Sequence, residues 1–188
     1  MKESFHKHLE VTEVAPYIFK VKFLTPEFCR YIMKACNGLN TWAPAEQDKD
    51  FFTQDINFKE ELPTLFKSIS THLIDRVFPV VGDRMSAEIE DPYTIFAIKY
   101  SMEGQRSLPL HRDESYVSGS IKLNEDYEGA DLVFPEQGFT NKDIEVGDLL
   151  LWPGSITHPH ACDYLMSGEK YSLTIWTPYP ELTNQRNY

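Results

Sequence analysis

The feature that most constrains the fold is a change of pattern near residue 87. From there to residue 179 the chain consists of short runs rich in β-branched and aromatic residues: YTIFAIKY, YVSGSIKLN, ADLVFP, DLLLWPG and YSLTIWTPY. Gly-containing or acidic breaks such as NEDYEGA and VGD separate them. Because no helical pattern intervenes, antiparallel pairing in a sandwich or jelly roll is favoured. We therefore predict a double-stranded β-helix (jelly-roll) core over residues 87–179.

The first third of the chain has helical patterns instead. In FLTPEFCRYIMKACNG, Thr25 is a predicted N-cap, Pro26 suits the first helical position and Asn37-Gly38 is a stop signal. A second helix is predicted over residues 62–77. Its apolar stripe at helical spacing, which indicates plain packing, comprises Leu62, Leu65, Phe66, Ile69, Leu73 and Val77. The predicted class is thus mainly β with flanking N-terminal helices, in a single domain over 1–188 with a mostly helical buttress at 1–86.

Length, charge and cysteine content limit the function classes. A chain of 188 residues suits one domain with a substantial core. Eighteen Lys and Arg against 29 Asp and Glu argue against a nucleic-acid partner and suit a cationic substrate. The three cysteines have no framework spacing, the start has no apolar core of a signal peptide, and no run approaches the roughly 20 apolar residues of a membrane span. We predict a cytoplasmic protein with no membrane partner.

The tripeptide His111-Arg112-Asp113 admits two interpretations. A protein kinase uses the Asp of His-Arg-Asp as its base, but this chain is too short for two lobes and lacks both the Gly-rich loop and Asp-Phe-Gly. In extended chain, residues two apart point to the same side, so His111 and Asp113 can converge on one metal ion. Arg112 is then expected to be a variable position between two ligands.

The third ligand of such a site is expected in GSITHPHACDY, where His158 and His160 share a parity. Two imidazoles and one carboxylate on one face of Fe(II) leave positions open for a bidentate co-substrate and O₂. A zinc hydrolase uses the same ligand types with a metal-bound water. From the ligands alone, both the third ligand and the metal stay open.

The last predicted strand, GEKYSLTIWTPYP, favours an anionic ligand. Lys170, Ser172, Thr174 and Trp176 alternate with Tyr171, Leu173, Ile175 and Thr177, so the polar set shares one face. A buried Lys is costly unless an anion meets it. The carboxylate tail of a co-substrate such as 2-oxoglutarate would do so, whereas an exposed Lys170 at a strand end is the alternative. Loops at residues 43–52 and 134–143 are expected to form the pocket walls.

These motifs resemble a known family. The segment from about residue 93 to residue 178 is similar to the core of Fe(II)/2-oxoglutarate-dependent dioxygenases, and within them to the catalytic domain of procollagen lysyl hydroxylases. The likeness rests on two blocks, IKYSMEGQRSLPLHRDESYVSGSIKLNEDYEGADLVF and LLLWPGSITHPH followed ten residues after His160 by Lys170. Upstream, DFFTQDINFKE resembles a stretch that precedes that core.

The resemblance implies roles for individual residues. His111, Asp113 and His160 become the iron ligands, and Lys170 the partner of the distal 2-oxoglutarate carboxylate. Tyr100 matches a Tyr that hydrogen-bonds the co-substrate in related hydroxylases, and Ser172 matches a basic-x-Ser pattern. Lysyl hydroxylases have Arg at the Lys170 position, whereas collagen prolyl hydroxylases resemble this chain in having Lys. Lys122 is a rival anchor, since some dioxygenases bind 2-oxoglutarate from a strand in this region.

The implied activity is hydroxylation of a C–H bond with release of succinate and CO₂. Fe(II), 2-oxoglutarate and O₂ are the implied cofactor and co-substrates, with ascorbate as an optional accessory. The favoured substrate is lysine or a similar amino acid, free or in a peptide; a small biosynthetic metabolite is the alternative. A non-catalytic metal-binding jelly roll and a zinc hydrolase are rivals from other classes. The resemblance is also compatible with a homodimer.

Overall fold

The computed structural model of the chain describes residues 9–39, 41–44 and 54–180. Its helices are α1 (Pro26–Leu39), α2 (Phe58–Glu61), α3 (Pro63–His72) and α4 (Phe78–Met85), with a π-helical turn at Leu73–Val77. Its strands are β1 (Val11–Ala15), β2 (Ile18–Lys22), β3 (Ala43–Pro44), β4 (Gln54–Asn57), β5 (Thr94–Ser101), β6 (Leu108–His111), β7 (Val117–Lys122), β8 (Tyr127–Gly129), β9 (Leu132–Phe134), β10 (Phe139–Thr140), β11 (Asp148–Pro153), β12 (His160–Cys162) and β13 (Leu165–Trp176).

The strands form two antiparallel sheets. The large sheet has the order β1-β2-β11-β7-β13-β5-β4-β3, with β8 paired to the first part of β13, and the small sheet has the order β10-β9-β12-β6. Strands that neighbour one another in the sheet are mostly distant in sequence, as in β11-β7-β13-β5, which is the crossing pattern of a jelly roll. The predicted class, mainly β with N-terminal helices, is confirmed.

Side chains that pack into the core alternate along the central strands with side chains that line a cavity, so the two faces of the large sheet differ. On β13, Tyr171, Leu173 and Ile175 belong to the main hydrophobic core together with buried residues of α1, α3 and α4. The intervening Lys170 and Ser172, with the residues that follow at the same parity, line a cavity on the opposite face. The helices therefore cover one face of the sheet and leave the other face for a site, as the period-two pattern of the strand predicted.

The two predicted helices are present with different ends. The Phe28 N–H donates to Thr25 Oγ1 at 3.3 Å, so Thr25 caps α1, and this helix continues through Asn37-Gly38 to Leu39. The predicted second helix begins one residue later, as α3, and its apolar stripe is buried or packs against the main core. It does not stop at residue 77 but passes through the π-helical turn into α4.

The prediction of a mostly helical segment at 1–86 missed four strands. β1 and β2 extend the large sheet beyond β11, and β3 and β4 extend it beyond β5. The signal in β2 was its three apolar residues around Lys20: Ile18 packs into one core, while Phe19 and Val21 pack into another. Residue 87 therefore does not separate the helices from the sheet. Among the described residues, no helix is both long enough and apolar enough to cross a membrane.

Candidate metal centre

The small sheet brings two histidines and one aspartate together. His111, the last residue of β6, is directly paired with His160, the first residue of β12. Asp113 follows two residues after His111, and its backbone N–H donates to the Gly154 carbonyl at 3.2 Å. The Asp113 carboxylate lies 3.4 Å from His111 Nε2 and 3.5 Å from His160 Nε2. One ligand atom from each residue lies within 4.8 Å of the others.

Backbone carbonyls fix the tautomer of both histidines. His111 Nδ1 lies 2.8 Å from the Pro109 carbonyl, and His160 Nδ1 lies 3.0 Å from the His158 carbonyl. Because a carbonyl oxygen only accepts, each Nδ1 carries the hydrogen in the neutral ring, and each Nε2 turns a lone pair towards Asp113. Orientation of this kind by a hydrogen bond to the other ring nitrogen is the usual arrangement of metal-binding histidines.

Three acceptors thus converge in a buried place, which is unfavourable without a cation. Asp113 Oδ2 is shielded from solvent and has no hydrogen-bond partner. Ligands about 2.1 Å from a shared metal ion at right angles lie roughly 3 Å apart, close to the spacing between the carboxylate and each imidazole. Two imidazoles and one carboxylate on one face are the ligand set of non-haem Fe(II) oxygenases. The residues therefore fit a divalent metal ion.

The ionisation of the three side chains follows the same geometry. Burial lowers the pKa of His160, and the nearby Asp113 only partly offsets this effect. Burial also acts against charge on His111, but the Asp113 carboxylate and the Pro109 carbonyl outweigh it and raise the pKa of His111. Burial opposes ionisation of Asp113, but the hydrogen bond that a protonated His111 donates, the charge of His160 and the Ser118 hydroxyl hold its pKa below the ordinary value. Asp113 is therefore ionised at neutral pH, and a proton on His111 competes with a metal ion.

His158, the other candidate for the third ligand, points elsewhere. Its Nε2 lies 2.9 Å from the Pro16 carbonyl and its Nδ1 lies 2.8 Å from Thr157 Oγ1. Burial lowers the pKa of His158, so the neutral ring donates to Pro16 and accepts from Thr157. Both ring nitrogens are used, and His158 is not part of the His-Asp-His group. It fastens the β1–β2 turn to the segment before β12.

A cavity of about 740 Å³ opens between the triad and the inner face of the large sheet. This volume lies within the range of roughly 300–1,000 Å³ for sites that enclose whole small molecules. Lys170 lies in its wall and is 4% exposed. Its Nζ donates to the Ala130 carbonyl at 2.7 Å and contacts Cys162 Sγ at 3.3 Å. Since an ammonium has three N–H donors, one remains for a ligand in the cavity.

Tyr100 and Ser172 also line the cavity, whereas Lys122 does not. Tyr100 is directly opposite Lys170 on β5, and the Lys170 Nζ lies 5.0 Å from its ring centroid. Burial raises the pKa of the Tyr100 hydroxyl well above its ordinary value, so the group stays protonated. Lys122 turns its amino group to the Ile144 carbonyl at 3.0 Å. Of the two lysines, Lys170 is the one placed to meet an anion in the cavity.

Sequence reasoning missed the groups that position Lys170. Cys162 lies two residues after His160 and therefore shares its face of the strand. The two-residue spacing was the signal in the sequence that predicts this position. Ala130 has a left-handed backbone with φ of 52° and turns its carbonyl to Lys170. This conformation is uncommon for residues other than glycine, so an alanine at this position does not predict it. Asp55 and Glu114 also line the cavity and were not singled out.

One expectation about the surroundings of the site was wrong. The loop at 134–143 does not line the cavity; the ring of Phe134 packs beneath His160 instead, at 5.3 Å between centroids. Of the other expected wall, residues 45–52 lie outside the described residues. Arg112, the expected variable position between two ligands, lines the cavity, and its Nε donates to the Ile156 carbonyl at 2.8 Å. It ties the metal-binding loop to the segment before β12.

Two curated proteins have similar sequences, and no protein-family model matches the chain. The chain is 25% identical over 189 residues to a multifunctional procollagen lysine hydroxylase and glycosyltransferase from Caenorhabditis elegans, covering 90% of this chain and 26% of that protein. It is 21% identical over 195 residues to a 2-oxoglutarate and iron-dependent oxygenase domain-containing protein, ICU11, from Arabidopsis thaliana, covering 95% and 49%. The chain thus spans about a quarter and about half of these relatives.

Solved structures share the fold. The viral collagen prolyl hydroxylase of Paramecium bursaria Chlorella virus-1 matches with a TM-score of 0.65 at 15% identity, over 89% of this chain and 99% of that chain. A Pseudomonas putida prolyl-4-hydroxylase matches with a TM-score of 0.62 at 19% identity, over 86% and 92%. The resemblance found in the sequence is therefore confirmed: this chain is similar in sequence to iron- and 2-oxoglutarate-dependent hydroxylases and has the jelly-roll fold of these oxygenases.

Proposed function

We propose that this chain is an Fe(II)- and 2-oxoglutarate-dependent hydroxylase that acts on lysine or a similar amino acid, free or in a peptide. The observation that carries the proposal is a single cavity with a metal triad at one end and a buried lysine at the other. Bound together, iron, 2-oxoglutarate and O₂ supply the chemistry: oxidative decarboxylation to succinate and CO₂, with one oxygen atom inserted into a C–H bond.

The protein contributes position and polarity. His111, Asp113 and His160 hold the iron from one side, which leaves the cavity side for the co-substrate. Lys170 donates to the distal carboxylate, and the hydroxyls of Tyr100 and Ser172 lie on the same wall. Tyr100 and Ser172 are 3% and 5% exposed, so water is largely excluded from the anchor, which strengthens the interaction between Lys170 and the carboxylate.

The charge of the site favours a dianion. A divalent ion, the Asp113 carboxylate, the two neutral imidazoles and the Lys170 ammonium together have a net double positive charge, which a dicarboxylate neutralises. The distance between the two ends is also set by the chain. Cys162, which contacts Lys170, lies two residues after His160 on β12, or roughly 6.6 Å along a strand.

The substrate part of the proposal rests on two observations. Asp55 and Glu114 line the cavity together with Arg112, and the chain as a whole carries a formal net charge of −11. Carboxylates in a partly enclosed cavity favour a cationic side chain over an anionic one. The similar protein from Caenorhabditis elegans is named a procollagen lysine hydroxylase. A lysine side chain in front of the metal is consistent with both observations.

The test is a succinate-release assay with Fe(II), 2-oxoglutarate and O₂ over free amino acids and peptides that contain lysine or proline. We expect stoichiometric succinate and a product heavier by one oxygen for lysine substrates, and reduced turnover after Glu114→Gln. Norleucine, which lacks the amino group, is the matched control substrate. Turnover without O₂ and with zinc alone would identify a hydrolase instead. Metal binding without succinate release on any substrate would indicate a non-catalytic jelly roll.

A further inference from the structure

Buried polar atoms without partners are concentrated at the metal end of the cavity. Among the described residues, seven buried side-chain oxygen and nitrogen atoms have no hydrogen-bond partner. Four of them lie at this end: Asp113 Oδ2, Ser118 Oγ, Trp152 Nε1 and Trp176 Nε1. Because such atoms are rare in folded proteins, a cluster of four requires an explanation.

A metal ion bound by Asp113, and the Ser118 hydroxyl that interacts with the same carboxylate, explain two of the four atoms. The Asp113 oxygen is an acceptor and can bind a cation directly. The indole nitrogens of Trp152 and Trp176 are donors only, and a cation gives them nothing to donate to. They require an acceptor, which an oxygen atom of a ligand or of a water molecule in the cavity supplies.

The sheet register arranges these donors in one row. Trp152 on β11 is directly opposite Ser118 on β7, and Ser118 is directly opposite Trp176 on β13. Directly opposed residues share a face, and neighbouring strands lie about 4.8 Å apart. Both tryptophans line the cavity. The row is therefore a band of hydrogen-bond donors across the inner face of the large sheet.

Trp152 is the member of this row that touches the metal triad. It is 1% exposed, and its ring packs edge-on against His160 at 5.1 Å and against Phe134 at 5.0 Å between centroids. These two contacts hold the indole in one orientation. The ring contacts of Trp176 are with Tyr93 and Phe96, and neither of these is a member of the triad. Of the two indoles, Trp152 is thus the one whose ring contacts a histidine of the triad.

We propose that the indole N–H of Trp152 donates a hydrogen bond to the keto-acid end of 2-oxoglutarate and so helps to place that end on the metal. This inference rests on the proposed function, because it takes 2-oxoglutarate as the ligand. It assigns the two ends of the co-substrate to different residues. Lys170 and Cys162 lie at the distal carboxylate, whereas Trp152 and His160 lie at the keto acid.

The direct test is a titration of zinc-loaded protein labelled with ¹⁵N at tryptophan. The chain has three tryptophans, Trp42, Trp152 and Trp176, so three indole N–H signals are expected. We expect 2-oxoglutarate to move the Trp152 indole proton downfield, as a new hydrogen bond does. Succinate, which has no keto acid, should leave it in place. A Trp152 signal that responds equally to both ligands, or to neither while 2-oxoglutarate binds, overturns the inference.

Matched variants give an independent readout of affinity in the presence of Mn(II). Trp152→Phe removes the donor and should weaken 2-oxoglutarate binding about tenfold, while succinate binding stays within twofold of the wild type. Trp152→His retains a donor and should recover part of the loss, although its ring is smaller. Trp42→Phe makes the same chemical change outside the cavity and should have no effect.

The two proposals fail in different ways. If Trp152 has only a structural role, Trp152→Phe should lower the affinities for 2-oxoglutarate and for succinate equally. This result overturns the inference, while the proposed function stands. Wild-type protein that binds Mn(II) but not 2-oxoglutarate contradicts the proposed function, and the inference falls with it. The titration of the wild-type protein tests whether the Trp152 N–H donates to 2-oxoglutarate, even where a Trp152 variant does not fold.

Discussion

The two ends of the cavity bury polar groups in opposite ways. At the Lys170 end the protein completes its own hydrogen bonds: the amino group meets the Ala130 carbonyl and the Cys162 sulfur. At the triad end, three acceptors face one another and Asp113 Oδ2 has no partner. The first end is stable without a ligand, whereas the second is complete only with a cation. Removal of a polar side chain should therefore lower the stability of the ligand-free protein at the Lys170 end, whereas it should lower the affinity for metal at the triad end.

The largest effect is expected from Asp113→Ala. Removal of the central carboxylate should lower metal affinity by at least about 100-fold, because the two imidazoles lose the charged member of the set. The thermal midpoint without metal should change little, because removal of an unpaired buried oxygen opposes the loss of the stability that the lowered pKa of Asp113 contributes. Metal titration and thermal unfolding with and without metal check both parts. Asp163→Ala, an exposed carboxylate outside the cavity, is the control and should leave both measurements unchanged.

Lys170→Met should give the opposite pattern. The Ala130 carbonyl loses its ammonium donor and keeps only the weak Cys162 thiol, so the free energy of unfolding should fall by about 1–3 kcal/mol without any ligand. Affinity for 2-oxoglutarate should fall roughly 10- to 100-fold, as expected for the loss of a charged hydrogen bond, while metal affinity is retained. Lys122→Met is the matched control, because Lys122 lies on the same sheet outside the cavity. Equal loss of 2-oxoglutarate binding in the Lys122 variant would reverse the assignment of the anchor.

The metal end should also respond to pH more strongly than the Lys170 end. Metal ions bind the neutral imidazole, and the pKa of His111 is raised whereas that of His160 is lowered. As pH falls, His111 is therefore protonated first, and metal affinity should be full above its raised pKa and fall about tenfold per pH unit below it. Co(II) titrations from about pH 8 to about pH 5.5 measure this dependence. An affinity that is flat over this interval would contradict the assigned order of protonation.

The smallest effect on the metal is expected from His158→Gln. Both ring nitrogens of His158 already have partners in Pro16 and Thr157, so metal affinity should change less than about threefold. The free energy of unfolding should fall by about 1–3 kcal/mol, since one glutamine amide does not reproduce both the bond to Pro16 and the bond to Thr157. His160→Gln is the matched comparison and should lose metal binding. A tenfold loss in the His158 variant would show that the wrong histidine was assigned to the triad.

Local patterns in the sequence predicted the parts of the site that lie on regular strands. His111 and Asp113, two residues apart in extended chain, and Lys170 and Ser172, on one face of β13, follow from period-two geometry alone. The choice of His160 over His158 needed the family resemblance, because the two residues are two positions apart and would point to the same side of an extended chain. The structure separates them by what their nitrogens contact, which depends on Pro16, more than 140 residues earlier in the chain.

The parts that could not be predicted depend on long-range contacts or on unusual backbone. β1 to β4 are short strands that exist because they extend a sheet built by distant segments, so their own sequences carry a weak signal. The left-handed conformation of Ala130 is imposed by its surroundings, including the bond from its N–H to the Tyr164 carbonyl at 3.2 Å. The position of Trp152 beside His160 follows from the pairing of two sheets and not from DLLLWPG.

The short strand β12 has a consequence for selectivity among oxo-acids. It places His160 at the metal and Cys162 at Lys170, with an irregular register against β6 between the two residues. Neither end can shift without breaking the pairing of β12 with its neighbours. If 2-oxoglutarate is the co-substrate, we therefore expect an oxo-diacid with one methylene more, such as 2-oxoadipate, or one fewer, such as oxaloacetate, to bind more weakly than 2-oxoglutarate. The short strand β12 would then set the length of diacid that the site accepts.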